Sequence, residues 1–220
     1  MLRKVIVPTE LADITLKDYQ RFMGANPTDE TFNQLALSIF CGIDAEEYPL
    51  FPKAQLEEIE ALVLFTLNEK PDLKRIIKIG DVEYGFHPNL EDITTGEFID
   101  AQEYLKDSIK NATKWLGVLY RPIIQKAAGR YEIEAYNPAK HDGAAFENVT
   151  MDIVEGCRLF FTRLQLSLQI GTLLSSSPNP ATKELRTLKV NSGKSGDGLQ
   201  SSINLLAEMY SIVRPSRISR

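Results

Sequence analysis

Enzymatic chemistry needs a base, a nucleophile or a metal ligand held beside a partner, and this chain is sparing with residues of those types. It has two histidines, His87 beside Pro88 and His141 in a polar stretch, and two cysteines, Cys41 and Cys157, each in an apolar run. Neither histidine has a His-x-x-x-His partner and the cysteines form no Cys-x-x-Cys pair, so the spacing does not point to zinc. A cysteine–histidine nucleophile would need pairing across the fold, which spacing does not indicate. Gly193-Lys194-Ser195 resembles the end of a phosphate-binding loop, but that motif requires glycine five positions before Gly193, where Leu188 stands. The carboxylates at Asp29-Glu30, Glu46-Glu47, Glu57-Glu58-Glu60 and Glu91-Asp92 suit helix starts and solvent-facing sides. Arg121, between Tyr120 and Pro122, is expected to pair with a carboxylate such as Glu97 or Asp100 through its planar fork, in a structural role. The expectation is a protein that is not an enzyme, with no catalytic residue, metal, cofactor or small-molecule substrate.

The elements that position these residues follow from periodicity and caps. Val5-Ile6-Val7 reads as a short strand closed by Pro8. Thr15 caps a helix that Gly24 stops, and Asn26-Pro27 starts a second that carries Phe32, Leu35, Ala36, Ile39 and Phe40 to Gly42. A third begins near Pro52, with Leu56, Ile59, Leu62, Val63 and Leu67 along one face before Pro71. The runs 75–79 and 82–86, split by Gly80-Asp81, read as a hairpin with a type II′ turn. His87-Pro88-Asn89 ends that strand, and Thr94 stands three residues before Glu97, the spacing of a capping box. Helices are expected over 96–105 and 109–126, the second kinked at Pro122 or ended at Arg121. Tyr131, Ile133 and Ala135 alternate with Glu132 and Glu134, a half-exposed strand able to extend the hairpin's sheet. A polar loop over 137–148 leads to a long helix over about 150–174.

The segment from Lys78 to Asp100, with Leu119-Tyr120-Arg121-Pro122-Ile123 and the early Ile14 to Gln20, resembles a family of small proteins of tailed bacteriophages. The carriers are Tyr84-Gly85-Phe86, Pro88-Asn89-Leu90, Thr94, Gly96-Glu97, Ile99-Asp100 and Leu119 to Ile123. The resemblance spans roughly residues 13–170, and it departs from the shared pattern at His87, where an apolar residue is expected. It implies a role in tail or baseplate-hub assembly in T4-like phages, or as a component of the virion; related-looking proteins occur in crAss-like phages. It also makes Tyr84, Phe86, Pro88, Asn89, Thr94, Gly96, Glu97 and Arg121 the structural motif.

Composition fits this picture. At 220 residues, 43% hydrophobic and 25% charged, the chain is able to bury a sizeable core. The net charge of −5 argues against a general nucleic-acid coat. Charge is unevenly placed: from Ser175 onward Lys183, Arg186, Lys189, Lys194, Arg214, Arg217 and Arg220 outnumber Glu184, Asp197 and Glu208, a balance of +4 that leaves −9 on the rest. Residues 175–198 are rich in Ser, Gly and Pro and read as a linker. Beyond them Leu199, Ile203, Leu206, Tyr210 and Val213 recur at intervals of 4, 3, 4 and 3, an amphipathic helix over 199–213 with a basic tail at 214–220. That stripe is expected to bind a partner, either folding back on its own body or docking on another copy or another phage structural protein. Its cations could also make weak nucleic-acid contacts. Two unpaired thiols and no signal-peptide pattern fit a reducing compartment, the host cytoplasm during assembly, with the virion as a later location. No segment is apolar enough to suggest a membrane span. The expected fold is α+β and mainly helical: a body over 1–174 with a helical core and an inserted hairpin at 75–86.

Overall fold

The structure, a computed structural model, describes residues 5–161. The end of the long helix beyond 161, the linker at 175–198, the amphipathic stripe at 199–213 and the basic tail at 214–220 lie outside the described residues.

Local signals set most of the elements. Helix α1 (Leu16–Gly24) begins where the Thr15 hydroxyl accepts the Asp18 amide hydrogen. Helix α2 (Phe32–Ala36) runs into one π-helical turn, Leu37–Cys41, closed by Gly42 at φ +67°. The start at Pro27 is not taken: Asn26 adopts φ +49°, so the chain turns there, and helix begins only at Phe32. Helix α3 (Lys53–Leu67) buries Leu56, Ile59 and Val63 against α1 and α2, and Thr66 beside the Pro8 carbonyl. Leu62, expected on that stripe, faces solvent, because the buried positions lie too far round the helix. Val5 to Val7, expected as a strand, forms none. Val5 and Val7 pack on the α1–α3 cluster, and the Pro8 carbonyl accepts the Thr66 hydroxyl at 3.1 Å.

The sheet is four-stranded and antiparallel, in the order β1 (Ile76–Ile79), β2 (Val82–Phe86), β3 (Tyr120–Ala127), β4 (Arg130–Ile133). Gly80 takes φ +59° while Asp81 stays at negative φ, as a type II′ turn requires. At the second hairpin both Ala128 (φ +48°) and Gly129 (φ +76°) are left-handed, the mark of type I′.

Helix α4 (Thr95–Leu105) is followed by α5 (Ala112–Leu119), which passes directly into β3. The expectation of helix to Lys126 is thus corrected. Arg121 precedes proline and is pushed out of the helical region, while the branched Ile123 and Ile124 favour a pleated surface. Tyr84 pairs with Pro122 and Gly85 with Arg121, so β2 supplies the partner that makes this segment a strand. The loop over 137–148 also differs from its polar appearance, because Phe146 inserts fully into the core.

Residues 151–161 are helical. A single antiparallel bridge, Thr15 to Thr150, sets the starts of this helix and α1 side by side: Leu16 N–H donates to the Val149 carbonyl and Met151 N–H to that of Ile14. One hydrophobic cluster joins the sheet, α4, α5 and helix 151–161 around Trp115, Tyr120 and Phe86, and a second joins α1 to α3. Phe40 and Leu67 touch both.

Candidate functional site

The resemblance motif converges on one buried carboxylate. Glu97 is 1% exposed and lies in the first turn of α4. Its Oε2 accepts the Thr94 amide hydrogen at 2.6 Å, and its own N–H donates to the Thr94 hydroxyl, so both halves of the capping box form. Its Oε1 takes the Arg121 guanidinium at 2.6 Å and stands 3.8 Å from His87 Nε2. One side chain therefore ties the start of α4 to the start of β3 and to the residue that leaves β2. The other expected partner, Asp100, instead accepts the Tyr136 hydroxyl at 2.7 Å. Tyr136 lies 5.9 Å below the Arg121 guanidinium and stacks on His141 at 5.9 Å and 20°. His141 Nδ1 accepts the Asn137 amide hydrogen, which places the ring proton of the neutral form on Nε2, 3.6 Å from Glu134.

Burial sets the electrostatics of this knot. It draws Arg121, His87 and His141 below their ordinary values, and the neighbouring carboxylates Glu97 and Glu134 oppose it. Arginine stays charged even so, and it is matched by Glu97 in a pair that is 5% and 2% exposed. Burial, then the bond to Asp100, pushes the Tyr136 hydroxyl up. What this arrangement does is hold three elements in register: the start of α4, the start of β3 and the end of β2.

The remaining motif residues divide between core and surface. Phe86 sits at the centre of the core, edge-on to Tyr120 at 5.3 Å and to Phe160 at 5.6 Å, and half-buried Tyr84 meets Phe146 at 5.3 Å. Pro88, Asn89, Thr94 and Gly96 are exposed, and Asn89 donates to Asp92 at 2.7 Å. The partner-binding candidates Leu199, Ile203, Leu206, Tyr210 and Val213 lie outside the described residues. Cys157 is fully buried, and burial pushes the Cys41 thiol up to about 11, so neither is a ready thiolate. Among the described residues no three His, Cys, Asp or Glu side chains gather to hold a metal ion. An open depression of ≈ 280 Å³ lies under the 127–131 turn, beside Ile76 and Lys126.

Sequence reasoning missed two features. The histidines are members of the knot, a fact that rests on distant carboxylates and left no local signal. The second is the outer side of α3, where Leu62, Leu64 and Phe65 are 43%, 48% and 71% exposed. Its signal was present: apolar residues occur all round the helix, and only one face can meet the body.

No protein family, characterised sequence or solved structure matches this chain. The class that the structure defines is a mixed α+β protein with helical emphasis and a four-stranded antiparallel sheet. Among the described residues no helix is long and apolar enough to cross a membrane.

Proposed function

We propose that this protein is a non-enzymatic bacteriophage structural or assembly protein that works by protein–protein contacts, in tail or baseplate assembly or as a component of the virion. The observation that carries the contact reading is the outer face of α3. Leu62, Leu64 and Phe65 stand in solvent on a helix whose other side is already packed, and such a surface is stable in water at a cost that a partner removes. The phage assignment rests on the resemblance carried by the motif from Tyr84 to Arg121, in which Thr94, Glu97 and Arg121 join the knot, Tyr84 and Phe86 pack inside, and Pro88, Asn89 and Gly96 are exposed.

The test is quantitative mass spectrometry of purified particles of a phage that encodes this chain, beside the infected-cell lysate. A fixed copy number in particles is the expected result for a structural component. Presence in lysate and absence from particles would make it a transient tail-assembly chaperone. If no phage encodes the chain, the assignment fails and the contact reading alone remains.

A further inference from the structure

His141 closes its own loop with the one ring nitrogen that can take up a proton. Its Nδ1 accepts the Asn137 amide hydrogen at 3.0 Å, so the basic lone pair of the neutral ring is engaged by backbone. From the other side the Lys140 and His141 amides donate to the Asn137 carbonyl at 3.0 and 2.9 Å. The residue is 8% exposed, and its Nε2 is buried with Glu134 at 3.6 Å, beyond hydrogen-bond reach.

This turn seats the chain on α5. A methyl group at Gly117 would lie 2.7 Å from the His141 carbonyl oxygen, and one at Gly143 would lie 2.5 Å from the Thr113 carbonyl carbon. Backbone thus meets backbone between 141–143 and the helix. Phe146 anchors the far end of the segment in the core. At the near end the Glu134 amide donates to the Pro122 carbonyl at 2.9 Å. Residues 135–145, between those anchors, are the stretch that the turn holds down.

A proton on Nδ1 removes the acceptor and sets two hydrogens against each other across the turn. Arg121 of β3 and Lys140 of the loop oppose that proton. Glu134 at the end of β4 favours it, but Lys140 already occupies Glu134 Oε1. Tyr136, stacked on the ring, donates to Asp100 of α4, and Asp142 accepts the Ala144 amide hydrogen. The helix α5 presents Gly117 and backbone, while its Lys114 ammonium lies over the Tyr104 ring at 5.5 Å. Burial outweighs these charges and draws His141 below its ordinary value of 6.5. In a released segment the ring returns to that value, so the closed turn is favoured above about 6.5 and loses ground as pH falls below it.

We propose that His141 is a proton-operated latch: protonation at Nδ1 frees residues 135–145 from α5 and uncovers the helix from Thr113 to Gly117, while the sheet and both cores stay folded. The latch goes beyond the contact reading and is independent of the phage assignment.

Nuclear magnetic resonance of the full chain between pH 7.5 and pH 5 tests it. The imidazole of His141 is expected to be the Nε2–H tautomer at pH 7.5. Protection of the Asn137 and His141 amides, each measured against a peptide of residues 134–146 at the same pH, should fall at least about tenfold over the range. The contact between the Tyr136 and His141 rings should be lost with the same midpoint. Trp115, on the opposite side of α5 from Thr113 and Gly117, should keep its folded emission throughout. His141→Asn places Oδ1 where Nδ1 stood and should hold protection constant, whereas His87→Gln should leave the fall intact. Constant protection in the native chain, or a His141 that titrates at or above 6.5 with the turn still closed, overturns the proposal. A fall that persists in His141→Asn, or disappears in His87→Gln, assigns the response to another group and overturns it too. A fall that coincides with loss of the folded Trp115 emission is global unfolding and overturns local release. Should His141→Asn fail to fold, the native titration and His87→Gln decide.

Discussion

Glu97 is the residue on which most of this fold's specificity converges, and its removal has a calculable consequence. Replacing one partner of a buried ion pair leaves the other uncompensated, which costs ~3–5 kcal/mol, whereas replacing both by neutral groups of similar size is far milder. Arg121→Met alone should therefore lower stability by about 3–5 kcal/mol in urea unfolding followed by Trp115 emission. Glu97→Gln combined with Arg121→Met should recover much of that loss, because glutamine keeps an oxygen for the Thr94 amide. A single-mutant loss below ~1 kcal/mol would show that the pair is solvated in solution. The same knot gives a pH dependence. Burial lowers the proton affinity of His87 and His141 in the folded state below the ordinary value of 6.5. The unfolded chain then binds more protons as pH falls through that value, so stability is complete above about 6.5 and drains away below it. The lowered carboxylates Asp13, Glu134 and Asp152 have ordinary values of 3.8, 4.5 and 3.8, so their losses begin lower. Urea midpoints should therefore fall between pH 7.5 and pH 5, and His87→Gln should flatten part of that slope. A midpoint that does not move over this range would contradict the buried, neutral assignment of both rings.

The hairpins show how far local sequence reaches at the scale of the element. Gly80-Asp81 and the Thr94–Glu97 box were legible because each is decided by residues within a few positions of one another. Strand β3 was not, because the run from Trp115 to Ile124 carries apolar residues that suit either period. Its state was settled by Pro122 and by β2, thirty-odd residues away. The β3–β4 turn adds a testable defect. Ala128 holds φ +48° at a type I′ position where asparagine is preferred, and left-handed backbone costs an ordinary residue about 1–2 kcal/mol. Ala128→Asn should raise stability by ~1 kcal/mol, seen as a higher melting temperature; no gain would mean the turn relaxes to another type. Gly85 has the opposite constraint. A methyl group there would lie 2.4 Å from the Tyr131 ring, which crosses over β2 so that its hydroxyl reaches the carbonyls of Phe86 and Arg75. Gly85→Ala should cost ~1–3 kcal/mol by overpacking, and Tyr131→Ala combined with it should relieve only the ring's part of the clash, since an Ile133 methyl still lies 2.9 Å away.

At the scale of the whole molecule, the described residues hold two cores, and their coupling decides whether the protein unfolds as one unit. The α1–α3 cluster and the sheet-side cluster share Phe40 and Leu67, and the Thr15–Thr150 bridge adds backbone hydrogen bonds between α1 and helix 151–161. Glu69, two residues past α3, accepts the Leu11 amide hydrogen at 2.7 Å and fastens the same seam. Partner residues more than fifty positions apart meet along it, which is why the sequence showed two helical faces without showing how they join. Trp115 belongs to the sheet-side core, whereas helical circular dichroism reports both cores, so the two signals together measure the coupling. In the native chain their urea transitions should coincide, as for a two-state protein. Phe40→Ala with Leu67→Ala removes the shared apolar contacts while leaving each cluster's own interior in place. The dichroism of that variant should begin to fall at lower urea than Trp115 emission, because the three-helix cluster loses support before the sheet does. Coincident transitions in the double mutant would assign the coupling to the Thr15–Thr150 bridge and the Glu69 contact. Separate transitions in the native chain would mean that the two cores are independent folding units.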